Sequence, residues 1–388
     1  MIPRLVIDLT CLNGTYGLGV ETFAQGLTVG LSKHLSQDNV KILCSKEGEK
    51  WVRDFFINDE SNRQLEIITI VPNFPFILNK ILAMAYRGLL PLFLVEFLEN
   101  LKWLKLKSHY KGSNVVVPST YINVTFGQRT LVCLHDCQET TFPKFFNSRQ
   151  LRYRRIKLRT TLKKAWKIQV SSTFVKVELS KLPNYEQSKI VLVPEGVDTS
   201  QFTFKPYINA PNSTLKILVP GSFLPHKNHF LLIPTLRAVL NNIDLIFLIT
   251  GTENKRSRAF RDSLSEIERE HVKFLGFIPR QDLIEYYQNS DVVLSTSLYE
   301  SSSLPLLEGY ASGCKVIATS IPAHQEMSEI IPDIYLFDPY SPSQLSSILR
   351  TIAQDKMSGK LERKVEKKVL EKIDWKARAR LYLDIFPN

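Results

Sequence analysis

Short apolar runs recur along the chain and alternate with stretches of helical period. The first series is LVIDL (5–9), VKILC (40–44), LEIITIV (65–71), NVVVPS (114–119), TLVCLHD (130–136) and KIQVSS (167–172). Between the first two, ETFAQGLTVGLSKHL (21–35) spaces its apolar residues as an amphipathic helix does. A second series begins at LKILVPG (215–221). It continues with LIFLITG (245–251), VKFLGF (272–277), DVVLSTS (291–297), CKVIATS (314–320) and IYLFD (334–338). Short apolar strands separated by helices predict an α/β chain: two parallel sheets with helices on both faces.

The length of 388 residues exceeds one ordinary core and sets a prior of two domains of roughly 150–200 residues each. The stretch LPNYEQSKIVLVPEGVDTSQFTFKPYINAPNST (182–214), rich in Pro, Asn and Ser, reads as the junction. The expected domains are 1–190 and 191–373. The helical pattern DWKARARLYLDIF (374–386) is expected to pack back, within 374–388, on the first domain.

The most apolar segment spans 74–107. Lys80, Arg87 and Glu96 interrupt it, and Pro91 breaks its helical period. No charge-free run reaches the ~18 residues of a spanning helix. The segment reads first as buried helices, with an interfacial membrane contact, helped by Trp103 and the lysines after it, as the alternative. The N-terminus MIPRLVIDLT enters a strand-like run directly, without the pattern of a secretory signal.

Charge sharpens the membrane alternative. The formal net charge is +12, and residues 101–170 hold fifteen Lys or Arg against two acids, Asp136 and Glu139. The densest part, RQLRYRRIKLRTTLKKAWK (149–167), attracts polyanions. No nucleic-acid module accompanies it, so an anionic membrane is the better partner and nucleic acid is not expected. The five cysteines, Cys11, Cys44, Cys133, Cys137 and Cys314, are odd in number and form no C-x-x-C pair. Neither a disulfide framework nor a zinc site is expected, and a reducing compartment suits them.

In open parallel sheets ligands bind beyond the carboxyl ends of the strands. Strand DVVLSTS leads into YESSSLPLLEG (299–309), where Glu300 and Glu308 stand eight positions apart. Pro305 suits a first helical turn, and Ser302 or Ser303 suits its cap. A helix start after a parallel strand offers amides and dipole to phosphate, while the carboxylates accept hydroxyls. A ligand with hydroxyls at both ends and phosphate between them, such as a nucleotide sugar, matches. Alone, the two acids read equally well as an early-turn charge and a loop charge. Strand LKILVPG leads to Gly221, Ser222 and the turn His226-Lys227-Asn228, whose lysine can reach a pyrophosphate. TLVCLHDCQE sets His135 and Asp136 at a strand end, where the Asp could orient the His; a structural histidine is about as good a reading. The loop LNGTYGLGVE holds Gly14, Gly17 and Gly19, yet G-x-G-x-x-G is incomplete and strand two ends in Cys44 rather than an acid. An NAD enzyme is therefore demoted.

Taken together these motifs resemble the retaining glycosyltransferases of family GT4, which have the two-domain GT-B fold. SLYESSSLPLLEGYASGCKVIATSIPAHQE (297–326) is similar to that family's paired-glutamate region, GSFLPHKNHFLL to its phosphate-lysine loop, and LHDCQETTFPKFF to its acceptor-side His-Asp loop. VPEGVD (193–198) resembles the Asn-Gly-Val-Asp turn after the linker, with Glu195 in place of Asn. The resemblance implies two Rossmann-like domains facing across a donor cleft. It implies that Glu308 holds ribose hydroxyls and Glu300 those of the transferred sugar. Lys227, with His226, Ser222, Ser302, Leu304 and the N–H groups of residues 303–305, would hold the diphosphate. Gly17 and Gly19 would close on the phosphates, and His135 would sit near the anomeric carbon. It implies no metal and no cofactor besides a GDP- or UDP-linked sugar as co-substrate. The acceptor would be a glycan or lipid-linked glycan, as in polysaccharide or lipopolysaccharide synthesis, at the inner face of the cytoplasmic membrane. Serines at the family's glycine positions, and the absence of its phosphate-loop arginine, leave two other readings: a non-catalytic partner protein of the same fold, or a nucleotide-sugar epimerase.

Overall fold

The computed structural model describes residues 4–14, 19–35, 39–56, 65–72, 75–86, 92–120, 129–205 and 214–387. The chain divides into two compact units, Met1–Gly196 with Trp375–Asn388, and Val197–Asp374.

The first unit opens with β1 (Leu5–Leu9), α1 (Gly19–Ser32), β2 (Val40–Ser45), α2 (Glu49–Asp54) and β3 (Glu66–Ile70). Next come α3 (Phe76–Tyr86), α4 (Leu92–Lys102), α5 (Leu106–Tyr110), β4 (Asn114–Val117) and β5 (Thr130–Leu134). It continues through α6 (Gln138–Thr141), α7 (Ser148–Lys164), β6 (Lys167–Val170), α8 (Thr173–Ser180) and β7 (Ile190–Leu192). All seven strands are parallel, in the order β3-β2-β1-β4-β5-β6-β7. Every residue of β1 and β5 is buried, as befits central strands covered on both faces. The edge strands are less covered: β3 is mostly half-buried, and β7, half-exposed and three residues long, pairs with β6. The division between units consequently falls after Gly196 rather than after residue 190.

The second unit holds β8 (Leu215–Val219), α9 (Leu232–Val239), β9 (Leu245–Thr250), α10 (Lys255–Asp262), α11 (Glu266–Glu270), β10 (Val272–Gly276) and α12 (Arg280–Gln288). It is completed by β11 (Val292–Ser295), α13 (Leu304–Ala311), β12 (Lys315–Thr319), α14 (Pro322–Ser328), β13 (Tyr335–Phe337), α15 (Pro342–Met357) and α16 (Lys367–Ile373). Its six parallel strands run β10-β9-β8-β11-β12-β13. In both sheets the order reverses beside the first strand, the switch point at which such sheets bind ligands. The core packs Ile217, Phe247, Val292 and Ile317 against the helices.

The last helix, α17 (Trp375–Leu383), belongs to the first unit. It lies so close to α1 that a Cβ on Gly26 would fall 2.0 Å from the Trp375 indole nitrogen, and one on Gly30 2.8 Å from the Trp375 carbonyl oxygen. The apolar 74–107 segment forms α3 and α4, which share a small core of Leu82, Val95 and Leu98 and pack on Ile156 of α7. Pro91 lies outside the described residues. Among the described residues no helix is long and apolar enough to cross a membrane.

Candidate active site

In the second unit, β11 hands the chain to α13 through residues 296–303. Helix α13 packs tightly on that strand: a Cβ at Gly309 would fall 2.3 Å from Val293 Cγ1. Glu308, next to this contact, is therefore buried. Its Oε1 accepts from Arg280 Nη1 at 3.0 Å, and the Arg280 guanidinium lies 4.8 Å from the Phe202 ring centroid.

The loop after β8 turns at Gly221, whose φ of +135° favours glycine. Gly251, at the end of β9, meets it closely, since a Cβ there would lie 2.6 Å from Ser222 Cα. Pro225–Lys227 make one 3₁₀ turn and Asn228 follows at φ +51°. This turn is bonded to the glutamate loop at several points. Leu298 N donates to His226 O at 2.7 Å, and Thr296 Oγ1 to Lys227 O at 2.7 Å. Lys227 Nζ donates to Glu300 Oε1 at 2.7 Å, and Ser297 Oγ donates to the same oxygen at 2.6 Å. Burial by itself would raise the Glu300 carboxyl. Lys227 first, then His226 and His324, outweigh it and hold the carboxyl below the ordinary value. Glu300 thus stays ionised near neutrality, an acceptor for hydroxyls rather than a proton donor.

Two histidines beneath the loops are kept neutral. Burial, reinforced by Lys227, His226 and Arg256, pushes His229 down to about 3; its ring stacks on Phe223 with centroids 4.3 Å apart. Burial also pushes His324 down, against the opposing pull of Glu300. Two expectations at the helix start need correction. Ser303 occupies the N-cap position, but neither it nor Ser302 makes a side-chain cap bond. Residue 305 is proline and has no N–H, so the amides available at this turn are those of Ser303 and Leu304. Ser222 and His226 are half-buried beside Lys227.

The first unit holds the other candidates. His135 follows β5, and its backbone N–H donates to Thr120 Oγ1 at 3.1 Å. The acid beside its ring is not Asp136. Asp136 is engaged by Arg154, which also donates to Glu139 at 2.9 Å. Facing His135 Nδ1, at 3.8 Å, is Glu195 Oε1, itself accepting from Ser171 Oγ at 3.2 Å. Strand β7 ends shortly before residue 195 and delivers that carboxylate alongside the β5 end. His135 Nε2 is buried with no hydrogen-bond partner among the described residues, and the ring packs edge-on to Phe23 with centroids 4.5 Å apart. Gly19 begins α1, with open space where a Cβ would lie. Gly17 lies outside the described residues. Arg280 was missed by sequence reasoning. It sits in FIPRQDL with nothing local to mark it, and only the approach of α12 to α13 gives it a partner.

Two such parallel-sheet units have the architecture of the GT-B fold. Residues 200–371 match the family model "Glycosyl transferases group 1". It is 24% identical over 227 residues to the O-antigen chain mannosyltransferase RfbU of Salmonella typhimurium, covering 58% of this chain and 62% of that one. It is 23% identical over 270 residues to the O-antigen chain mannosyltransferase B of Escherichia coli, covering 63% and 65%. The chain thus spans less than two thirds of the length of these relatives. Among solved structures, its fold is similar to the sucrose-phosphate synthase tll1590 of Thermosynechococcus elongatus (TM-score 0.71, 18% identity, 99% of each chain). It is also similar to Anabaena Alr3699/HepE in complex with UDP and glucose (TM-score 0.69, 13% identity, 99% of each chain). A third is WaaG, a glycosyltransferase involved in lipopolysaccharide biosynthesis (TM-score 0.62, 16% identity, 98% of this chain and 95% of that one).

Proposed function

We propose that the protein moves a sugar, with retention and without a metal, from a nucleotide-diphosphate sugar to a glycan or lipid-linked glycan. The observation that carries this is the Lys227–Glu300 pair at 2.7 Å within a group 1 glycosyltransferase domain. It couples a fixed cation to a carboxylate held ionised. Donor binding places the diphosphate on Lys227 and the Ser303 and Leu304 amides, with Ser222, His226 and Ser302 around it. Glu300 accepts hydroxyls of the transferred sugar and Glu308 those of the ribose. The anomeric C–O bond breaks and the electron pair leaves with the nucleoside diphosphate; an acceptor hydroxyl attacks from the same face and its proton passes to the departing phosphate oxygen, with His135 proposed as the acceptor-side group. Fixed cation and dipoles stabilise the leaving charge, the work a metal would otherwise do. The donor nucleotide is GDP or UDP. The names of the O-antigen relatives favour mannose as the sugar and a surface polysaccharide as the product. The enzyme works in the cytoplasm, in peripheral contact with anionic membrane where a lipid-linked acceptor lies. Calorimetric titration with GDP, UDP and ADP tests the reading: one should bind. A folded chain that binds none, or a Glu300→Ala variant that still transfers sugar normally, sinks it.

A further inference from the structure

We propose that the α3/α4 pair and the adjoining basic face of α7 form a docking surface for an anionic lipid bilayer. The proposal names the surface behind the peripheral contact inferred above and rests on that reading for its purpose. Binding itself is measurable without sugar transfer.

Each of the two helices carries two apolar stripes where a surface helix of a globular protein needs one. The inward stripes are used, with Leu78, Ile81 and Leu82 of α3 meeting Leu94, Val95 and Leu98 of α4. The outward ones are not. Ile77 and Met84 on α3, Phe97 and Leu101 on α4, and Leu104 just beyond it are exposed; Ile77 is 67% and Phe97 61% accessible. Residues 97, 101 and 104 follow helical spacing, so this is a stripe rather than scatter.

The charges of α7 sort themselves beside it. Lys157 and Arg154 turn toward acids: Lys157 Nζ lies 3.4 Å from Glu99 Oε1, and Arg154 holds Asp136 and Glu139. Arg149, Arg152, Arg155, Arg159 and Lys163 instead face solvent, with no ion pair among the described residues. Ile156 packs into the α3/α4 core, and the Tyr153 and Tyr86 rings pack at 4.8 Å, so the basic helix adjoins the apolar pair. Charge alone suits any polyanion. Cation beside exposed aliphatic and aromatic side chains selects a surface that is anionic outside and hydrocarbon beneath. With no spanning helix among the described residues, the contact is peripheral.

Co-sedimentation of the full chain with vesicles of phosphatidylglycerol and phosphatidylethanolamine, against phosphatidylcholine alone, tests this. Binding to the anionic vesicles only, weakening with salt, is expected. Arg155→Ala with Arg159→Ala should weaken it about thirtyfold, and Phe97→Ser with Leu101→Ser about tenfold or more. These side chains are exposed, so melting temperature should hold, which confirms that the variants fold. If the folded wild type stays in the supernatant, or binding survives both double substitutions, the proposal fails. If the chain instead dimerises with concentration through this face and ignores vesicles, the occupant is a second copy and the proposal is overturned. Nucleotide titration of the same samples separates this from the transferase reading. Vesicle binding without nucleotide binding keeps the surface and sinks the enzyme.

Discussion

Lys227 holds Glu300 at 2.7 Å, and under the proposed donor binding it would also face a diphosphate. Lys227→Ala should therefore weaken nucleoside diphosphate affinity by about tenfold to a hundredfold, the range for losing a hydrogen bond to a charged group. It should also release the Glu300 carboxyl upward, because Lys227 is the foremost lowering influence against burial. The acid limb of a pH–rate profile then shifts to higher pH, while unchanged affinity and profile would place the diphosphate elsewhere. A second residue-scale contrast concerns the acid that orients His135. Glu195→Ala should cost transfer at least about tenfold with nucleotide affinity intact, since it leaves His135 Nδ1 without its acid. Asp136→Asn should cost little, because Arg154 already claims that side chain. A larger loss from Asp136→Asn than from Glu195→Ala would reverse the assignment.

At the level of elements, site geometry depends on how α13 seats on β11. Gly309→Ala pushes a Cβ against Val293 and should cost about 1–3 kcal/mol by overpacking. Adding Val293→Ala to the same chain should recover part of that loss in a urea melt; no recovery would mean the contact is not the cause. The buried histidine under this loop sets a pH dependence. His229 sits at about 3 when folded and near 6.5 when unfolded, so between these values only the unfolded chain takes the proton. Stability is present above the unfolded value and falls as pH drops toward the folded one, by roughly 1.4 kcal/mol per pH unit. His229→Phe should flatten this slope. The elements themselves were largely legible, because central parallel strands must be apolar on both faces and say so in sequence. Strand β7 was not. It is a half-exposed edge strand inside a Pro- and Asn-rich junction, where the edge position relaxes the apolar requirement. Strand-end position singles out the lysine and both glutamates, while the Arg280–Glu308 and Glu195–His135 pairings depend on residues that only the fold brings together. Within the basic run, spacing cannot tell that Lys157 points inward to Glu99.

Over the whole molecule, the chain passes between its two units twice, at Gly196–Val197 and at Asp374–Trp375. The two passages run side by side: Val197 N donates to Ile373 O at 2.8 Å, and Thr199 N to Asp374 Oδ2 at 3.3 Å. Immediately past the second passage, Trp375 packs on Phe23 with ring centroids 5.2 Å apart, and Phe23 packs in turn on His135. The final helix thus braces the first unit's core and, through one aromatic ring, the candidate catalytic histidine. Trp375→Ala removes a buried indole from between α1 and α17 and should cost the first unit about 3–5 kcal/mol. Hydrogen exchange can locate the loss. Protection should fall in α1, β5 and β6 while β8 and β9 keep theirs, because Trp375 belongs to the first unit's packing. Transfer should fall with it through the unseated His135, yet nucleotide affinity in the second unit should hold. Equal loss of protection in both units would show instead that the terminal helix stabilises the chain as one cooperative body, and that its tie to His135 is incidental.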